Sequence, residues 1–264
     1  MVMISVIMSV YNDAKYLEKS IQSILSQTFE DFEFIICNDC STDSSLSIIQ
    51  KFQKLDSRIK VINNSTNLGL AASLNECIQM ASGQYIARMD SDDISYINRL
   101  EVEYNFLLEH KEYAVVGSKS ITINENDEPC KEFMIHPFEV CLSDAIKKTQ
   151  IIHPTVLMKK DALLFVNGYT VNQLTQRAED YDLWCKLLSN NFKIYNLDIP
   201  LLYYRESFFS IKKRKYKYRL QEAKLKFYWM KKEKVSIRYY LYAIKPLVIG
   251  LIPMRIMNIY KRKF

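Results

Sequence analysis

Glycine is scarce: the 264-residue chain has five. Neither GxGxxG nor GxxxxGK[ST] occurs, which removes the phosphate-cradling loops of dinucleotide-dependent dehydrogenases and P-loop NTPases. Histidine is equally thin. His110, His136 and His153 are the only three, no GxSxG accompanies them, and a hydrolase triad therefore has no support. His153, in the stretch IIHPTV, is kept only as a pocket-lining candidate. The six cysteines lack the dense spacing of a secreted disulfide scaffold. Cys37 and Cys40 form a CxxC, but Cys130, His136 and Cys141 supply no convincing second pair for zinc. They are read as structural cysteines in a reducing cytoplasm. The opening residues carry no basic region ahead of their apolar run, so the segment reads as a first strand rather than a secretory leader.

What the chain does have is 48% hydrophobic and 25% charged residues, ordinary for a globular protein with a sizeable core. Short β-branched runs (ISVIMSV, FEFIIC, IKVIN, QYIARMD) alternate with helical patterns at about 14–27, 43–54 and 70–81. That alternation predicts an α/β fold whose mainly parallel sheet is covered on both faces. In such sheets, sites lie beyond the carboxyl ends of the strands. The rule puts Tyr11, Asn12, Asp39 and the run Asp90, Asp92, Asp93 on a single rim.

Charge is uneven along the chain. Residues 1–210 carry a net −9, whereas residues 211–264 carry +15. The shift predicts a catalytic or binding domain over 1–210 and a basic helical extension over 211–264. In the extension, YYLYAIKPLVIGLIPMRIM is interrupted by Lys245, Pro246, Pro253 and Arg255. It falls short of the ~20 clean apolar residues a spanning helix requires. An interfacial anchor on an anionic membrane is expected, with a helical cap on the core as the alternative. A nucleic-acid module would instead need aromatics on a basic folded platform, so no nucleic-acid partner is expected.

Two acidic stretches carry the chemistry. In YIARMDSDDI a strand pattern ends in three carboxylates, which repel one another unless a metal ion or a cationic partner binds them. In RAEDYDLW, Glu179, Asp180 and Asp182 open a helix, where acids complement the dipole and a carboxylate near a pocket can serve as a general base.

Together with SVIMSVYNDAKYLEKSIQSILSQTFEDFEFIICNDCSTDSS and NLGLAASLN, these blocks resemble, in order from about residue 4 to 205, the inverting family 2 glycosyltransferases, which have the GT-A fold. The resemblance implies that Ser9, Tyr11 and Asn12 border the donor nucleotide and that Asp39 recognises its base. It implies that Asp90 contacts the ribose, and that Asp92 and Asp93 hold Mg²⁺ or Mn²⁺. Asp180 would be the catalytic base, with Trp184 near the acceptor and Arg205 carried over from the family; Glu179 and His153 complete the residues expected at the acceptor or the pocket. A UDP-sugar donor, a lipid-linked glycan acceptor and a place on the inner face of the cytoplasmic membrane are the matching expectations. Asn38 and Cys40 depart from the family, where Asp and Gly are frequent. A sugar nucleotidyltransferase is the rival enzyme class, and its glycine-rich N-terminal loop is missing.

Overall fold

The computed structural model describes residues 2–133, 138–147, 151–206 and 216–251. The expected boundary near Ser210, together with His136, Pro253 and Arg255, lies outside them.

One ten-stranded sheet forms the middle layer. Its first half is built from β1 (Ile4–Val10), β2 (Phe32–Asn38), β3 (Ile59–Asn63) and β4 (Tyr85–Arg88), all paired in parallel. Every residue of β2 is buried, as expected of a strand covered on both faces. Side chains alternate between the two faces. Ile4, Val6, Met8 and Val10 join Phe32, Phe34 and Ile36 in one core, whereas Ile7, Ile35 and Cys37 point into the other.

The helices supply the outer layers. Helix α1 (Ala14–Leu25) turns Leu17, Ile21 and Ile24 onto the first core, joined by Ile49 of α2 (Ser45–Leu55) and by Leu100 and Leu107 of α4 (Arg99–Glu109). Helix α3 (Leu70–Met80) covers the opposite face with Leu74, Cys77 and Ile78.

Beyond β4 the sheet becomes mixed. The short β5 (Ile94–Ser95) precedes α4, and β6 (Tyr113–Ile123) follows it, hairpinned to β7 (Pro129–Phe133). Next come β8 (Glu139–Val140), α5 (Leu142–Lys147), β9 (Leu157–Lys159) and α6 (Lys160–Phe165). Helix α7 (Glu179–Ser189) and the long β10 (Lys193–Arg205) complete the sheet. The strand order is β3-β2-β1-β4-β9-β6-β10-β5. Strand β9 runs antiparallel to both β4 and β6, so the parallel order foreseen from the first half stops there.

Two helices follow, α8 (Tyr216–Lys232) and α9 (Leu241–Leu251). Neither stands apart from the core. Leu225, Trp229 and Met230 of α8 and Ala243 of α9 pack with Ala178, Tyr181 and Cys185 around the start of α7. Among the described residues no helix is long and apolar enough to cross a membrane.

Candidate active site

Strand ends and the tight turns after them bring the polar residues together. After β1, Asn12 adopts the left-handed conformation (φ 53°). Its Oδ1 accepts a hydrogen bond from the Thr42 backbone N–H (2.7 Å), while its own N–H donates to Ser41 Oγ (3.0 Å). The turns after β1 and β2 are therefore locked to each other. Cys40 is also left-handed (φ 59°), which accounts physically for glycine being frequent at this position in the resembling family.

Asp39 is buried and fully engaged. Its Oδ1 accepts from Asn64 Nδ2 (2.9 Å) and the Leu68 N–H (2.8 Å), and its Oδ2 accepts from the Gly69 N–H (2.9 Å). The carboxylate thus shapes the loop leading into α3, and that loop forms one wall of a cleft of about 790 Å³. Ser9, Tyr11 and Asp39 line the cleft from the strand ends; Glu179, Arg177 and the Thr170–Gln176 segment line it from the α7 side. Tyr218 of α8 closes a further edge.

The acidic run lies after β4. Asp90, Asp92 and Asp93 each offer a carboxylate oxygen within 4.8 Å of the others. Asp90 is ion-paired with buried Arg88. Asp93 accepts the Arg205 N–H on Oδ1 (2.7 Å), yet its buried Oδ2 has no hydrogen-bond partner. Burial, then the Asp90 and Asp13 charges, push the Asp92 carboxyl up to about 7. Burial, then Asp90 and Asp92, push Asp93 well above the usual carboxylate range. A set of hard oxygen donors with an unsatisfied buried oxygen fits a divalent cation of the Mg²⁺ or Mn²⁺ type. Among the described residues it is the only such cluster.

The second acidic stretch faces the same region. Glu179 is held up at about 7 by burial first and by the neighbouring Asp180 second. Asp180 is half-buried and accepts the Tyr181 N–H on Oδ1 (2.8 Å). Tyr169 connects the two stretches. Burial raises its hydroxyl pKa; Arg88 opposes that, and Asp180, Glu179 and Asp90 all add to it. Charges from both acidic stretches therefore act on one buried tyrosine.

Three residues expected at the acceptor or the pocket lie in the interior instead. Trp184 is 1% exposed and packs in the core, because the apolar face of α7 must be buried against the sheet. His153 is buried with Nε2 2.7 Å from the Tyr169 hydroxyl, and burial followed by the Arg88 charge keeps its pKa well below the usual value. Arg205 clamps the acidic loop from beneath: Nε donates to the Asp92 carbonyl (2.7 Å), Nη1 to the Asn124 carbonyl (2.7 Å), and its plane lies over the Tyr16 ring.

Several site residues had no sequence signal read for them. Arg88 was the most legible, a lone charge inside an apolar strand whose Nε and Nη1 are buried without a partner. Asp13 receives the Ser91 hydroxyl on Oδ2 (2.6 Å) and joins α1 to the acidic loop. Tyr169 comes from a segment without periodic pattern or motif, Arg177 opens the RAEDYDLW stretch without being singled out there, and Tyr218 lies in the basic extension.

The sequence profile of glycosyl transferase family 2 matches residues 5–163. EpsE of Bacillus subtilis, named as a glycosyltransferase, is 38% identical over 261 residues, covering 98% of this chain and 93% of its own. The Escherichia coli enzyme WfaP, a UDP-Glc:alpha-D-GlcNAc-diphosphoundecaprenol beta-1,3-glucosyltransferase, is 30% identical over 94% of this chain and 95% of its own. Among solved structures, S. aureus TarS 1-349 in complex with UDP-GlcNAc superposes with a TM-score of 0.72 at 22% identity, over 94% of this chain and 71% of that one. That likeness is one of fold.

Proposed function

The chain belongs to glycosyl transferase family 2, and from that premise we propose that it moves a sugar from a UDP-sugar to a hydroxyl of a lipid-linked glycan, with inversion, during cell-surface polysaccharide synthesis. The observation that carries the reading is the cleft, which joins the strand-end residues Ser9, Tyr11 and Asp39 to Glu179 at the start of α7. Ser9 and Tyr11 border the nucleotide, and the wall that Asp39 organises receives the base. Asp90, Asp92 and Asp93 hold the divalent cation, which when bound stabilises negative charge on the departing diphosphate. Asp180 takes the proton from the acceptor hydroxyl. The hydroxyl oxygen bonds to the anomeric carbon from the face opposite the donor, and the bond to the nucleoside diphosphate breaks with its electron pair on the phosphate oxygen. One displacement inverts the configuration. The names of WfaP and TarS support a diphospholipid-linked acceptor and a uridine donor respectively.

The reading is tested by thermal shift with UDP-, GDP- and dTDP-sugars in the presence and absence of Mn²⁺. Stabilisation by UDP-sugars that requires the metal supports it; no stabilisation by any nucleotide sugar rejects it.

Residues 211–264 serve this reading as a membrane-surface anchor. Ile237 (84% exposed), Leu241 (72%), Ile244 and Val248 follow one another at helical spacing on the outer side of the 3-10 turn Ile237–Tyr240 and of α9, beside exposed Arg238 and Lys245. Exposed apolar residues flanked by cations suit an anionic bilayer of the cytoplasmic leaflet. Vesicle flotation checks this: binding should need anionic lipid, weaken only partly in 1 M salt and vanish when residues 236–264 are removed. Complete release by salt would reject apolar insertion.

A further inference from the structure

Asp182 is the third acid of the RAEDYDLW stretch, and the proposed chemistry leaves it unused. It is buried (4% exposed) and its two oxygens reach different parts of the chain. Oδ1 accepts the indole N–H of Trp229 on α8 (2.9 Å). Oδ2 accepts the Thr170 hydroxyl (2.6 Å). Thr170 begins the segment that lines the cleft, and its carbonyl in turn accepts the Thr175 hydroxyl (2.6 Å), closing that segment on itself. The segment ends at Arg177, a left-handed residue (φ 68°) immediately ahead of Ala178 and Glu179. Helix α8 also lends Tyr218 to the cleft and packs Trp229 with Ala178, Tyr181 and Cys185. Ser189 at the far end of α7 donates to Glu233 just beyond α8 (2.8 Å). Helix α7 is thus held along its length by the C-terminal extension.

We propose that Asp182 is a positioning residue that, through Trp229 and Thr170, couples the C-terminal helix α8 to the Thr170–Arg177 wall of the cleft. A buried carboxylate tolerates the loss of neither partner, because the freed oxygen keeps its desolvation cost. The sharing makes the coupling mutual: loosening the tail loosens the wall, and loosening the wall loosens the tail. A purely structural clamp would restrict the effect of each change to its own surroundings. The inference rests on the proposed function only for the use of the cleft.

Hydrogen–deuterium exchange on the full-length protein tests it without any sugar substrate. Trp229→Phe keeps an aromatic ring, smaller than the buried indole, and removes the N–H. A hydrogen bond to a charged group is worth about 1.5–3 kcal/mol, so exchange of amides 171–177, whose Leu174 packs against the cluster that holds Trp229, should rise roughly tenfold or more. Thr170→Val should raise exchange in α8 around 222–230, and the double variant should be less than additive. UDP binding with Mn²⁺, followed by thermal shift, should persist in Trp229→Phe, since Trp229 does not line the cleft and Ser9, Tyr11 and Asp39 are untouched. Unchanged protection of 171–177 in a folded Trp229→Phe protein overturns the coupling. If that variant does not fold, Thr170→Val decides alone: unchanged exchange in α8 overturns the proposal and raised exchange sustains it. Loss of UDP binding by the wild-type protein would reject the proposed function and leave this coupling standing.

Discussion

The two acidic stretches, 90–93 and 179–182, are built on the same plan from different elements. In each, one acid turns inward and is claimed by the fold: Asp93 by the Arg205 N–H, Asp182 by Trp229 and Thr170. The acids beside them, Asp92 and Glu179, carry pKa values raised to about 7 by burial and by a neighbouring carboxylate. They differ in what remains unsatisfied. The first stretch leaves a buried oxygen of Asp93 without a partner, whereas both oxygens of Asp182 are used. A carboxylate cluster that the fold leaves short of positive charge is arranged to gain a cation. One whose inward member is fully bonded is arranged to hold its neighbours still.

The comparison breaks most sharply at Asp180. Asp180→Asn should cut sugar transfer by about 10²- to 10⁴-fold with donor affinity nearly unchanged, because the base acts on the acceptor hydroxyl. Initial rates alongside donor binding check the split, and a near wild-type rate would move the base to Glu179.

In the first stretch, Asp92→Ala should remove the Mn²⁺-dependent part of UDP-sugar binding and leave the melting temperature equal or higher, since a desolvated acid is relieved of its neighbours. Calorimetric titration with and without metal reads this. Metal-dependent binding that survives would remove Asp92 from the cation site.

Glu33 sharpens the contrast, as an inward acid with ample partners. Burial opposes its ionisation, but Lys60, Ser5 and Ser82 outweigh that and bring it down from 4.5 to about 2. A folded-state pKa below the unfolded one gives stability that is present above about 4.5 and lost as the pH falls towards 2. The shift corresponds to about 3 kcal/mol. Denaturant unfolding should show that loss in the wild type, and Glu33→Gln should flatten it while lowering stability at neutral pH.

The smallest effect is expected at Glu179. Its proton leaves near pH 7, which sets a second negative charge beside Asp180 and strengthens it as a base. Transfer should therefore rise through about pH 7, and Glu179→Gln should remove that inflection; a profile identical in both proteins would assign the rise elsewhere.

The sequence legibly marked the strand ends and both acidic stretches because each joins a periodic apolar run to a break in it. Arg205 was legible only as a residue of interest. Its role came from β10 running past the acidic loop, which no local pattern records. Trp184 and His153 misled for a related reason: an aromatic ring and an imidazole read the same in sequence whether they face a cleft or a core. The face that α7 turns to the sheet settles it.

By itself the sequence determined the alternating strands and helices, the rim of Tyr11, Asn12, Asp39 and Asp90–Asp93, and the family, since all three follow from residue order along short stretches. Only the tertiary structure decided which acid of each cluster is spent on the fold, where the parallel sheet gives way to the antiparallel β9, and that α8 belongs to the core. Those depend on contacts such as Asp182 with Trp229, 47 residues apart. Such pairings are fixed by packing of the whole chain, and the local sequence around either partner carries no trace of the other.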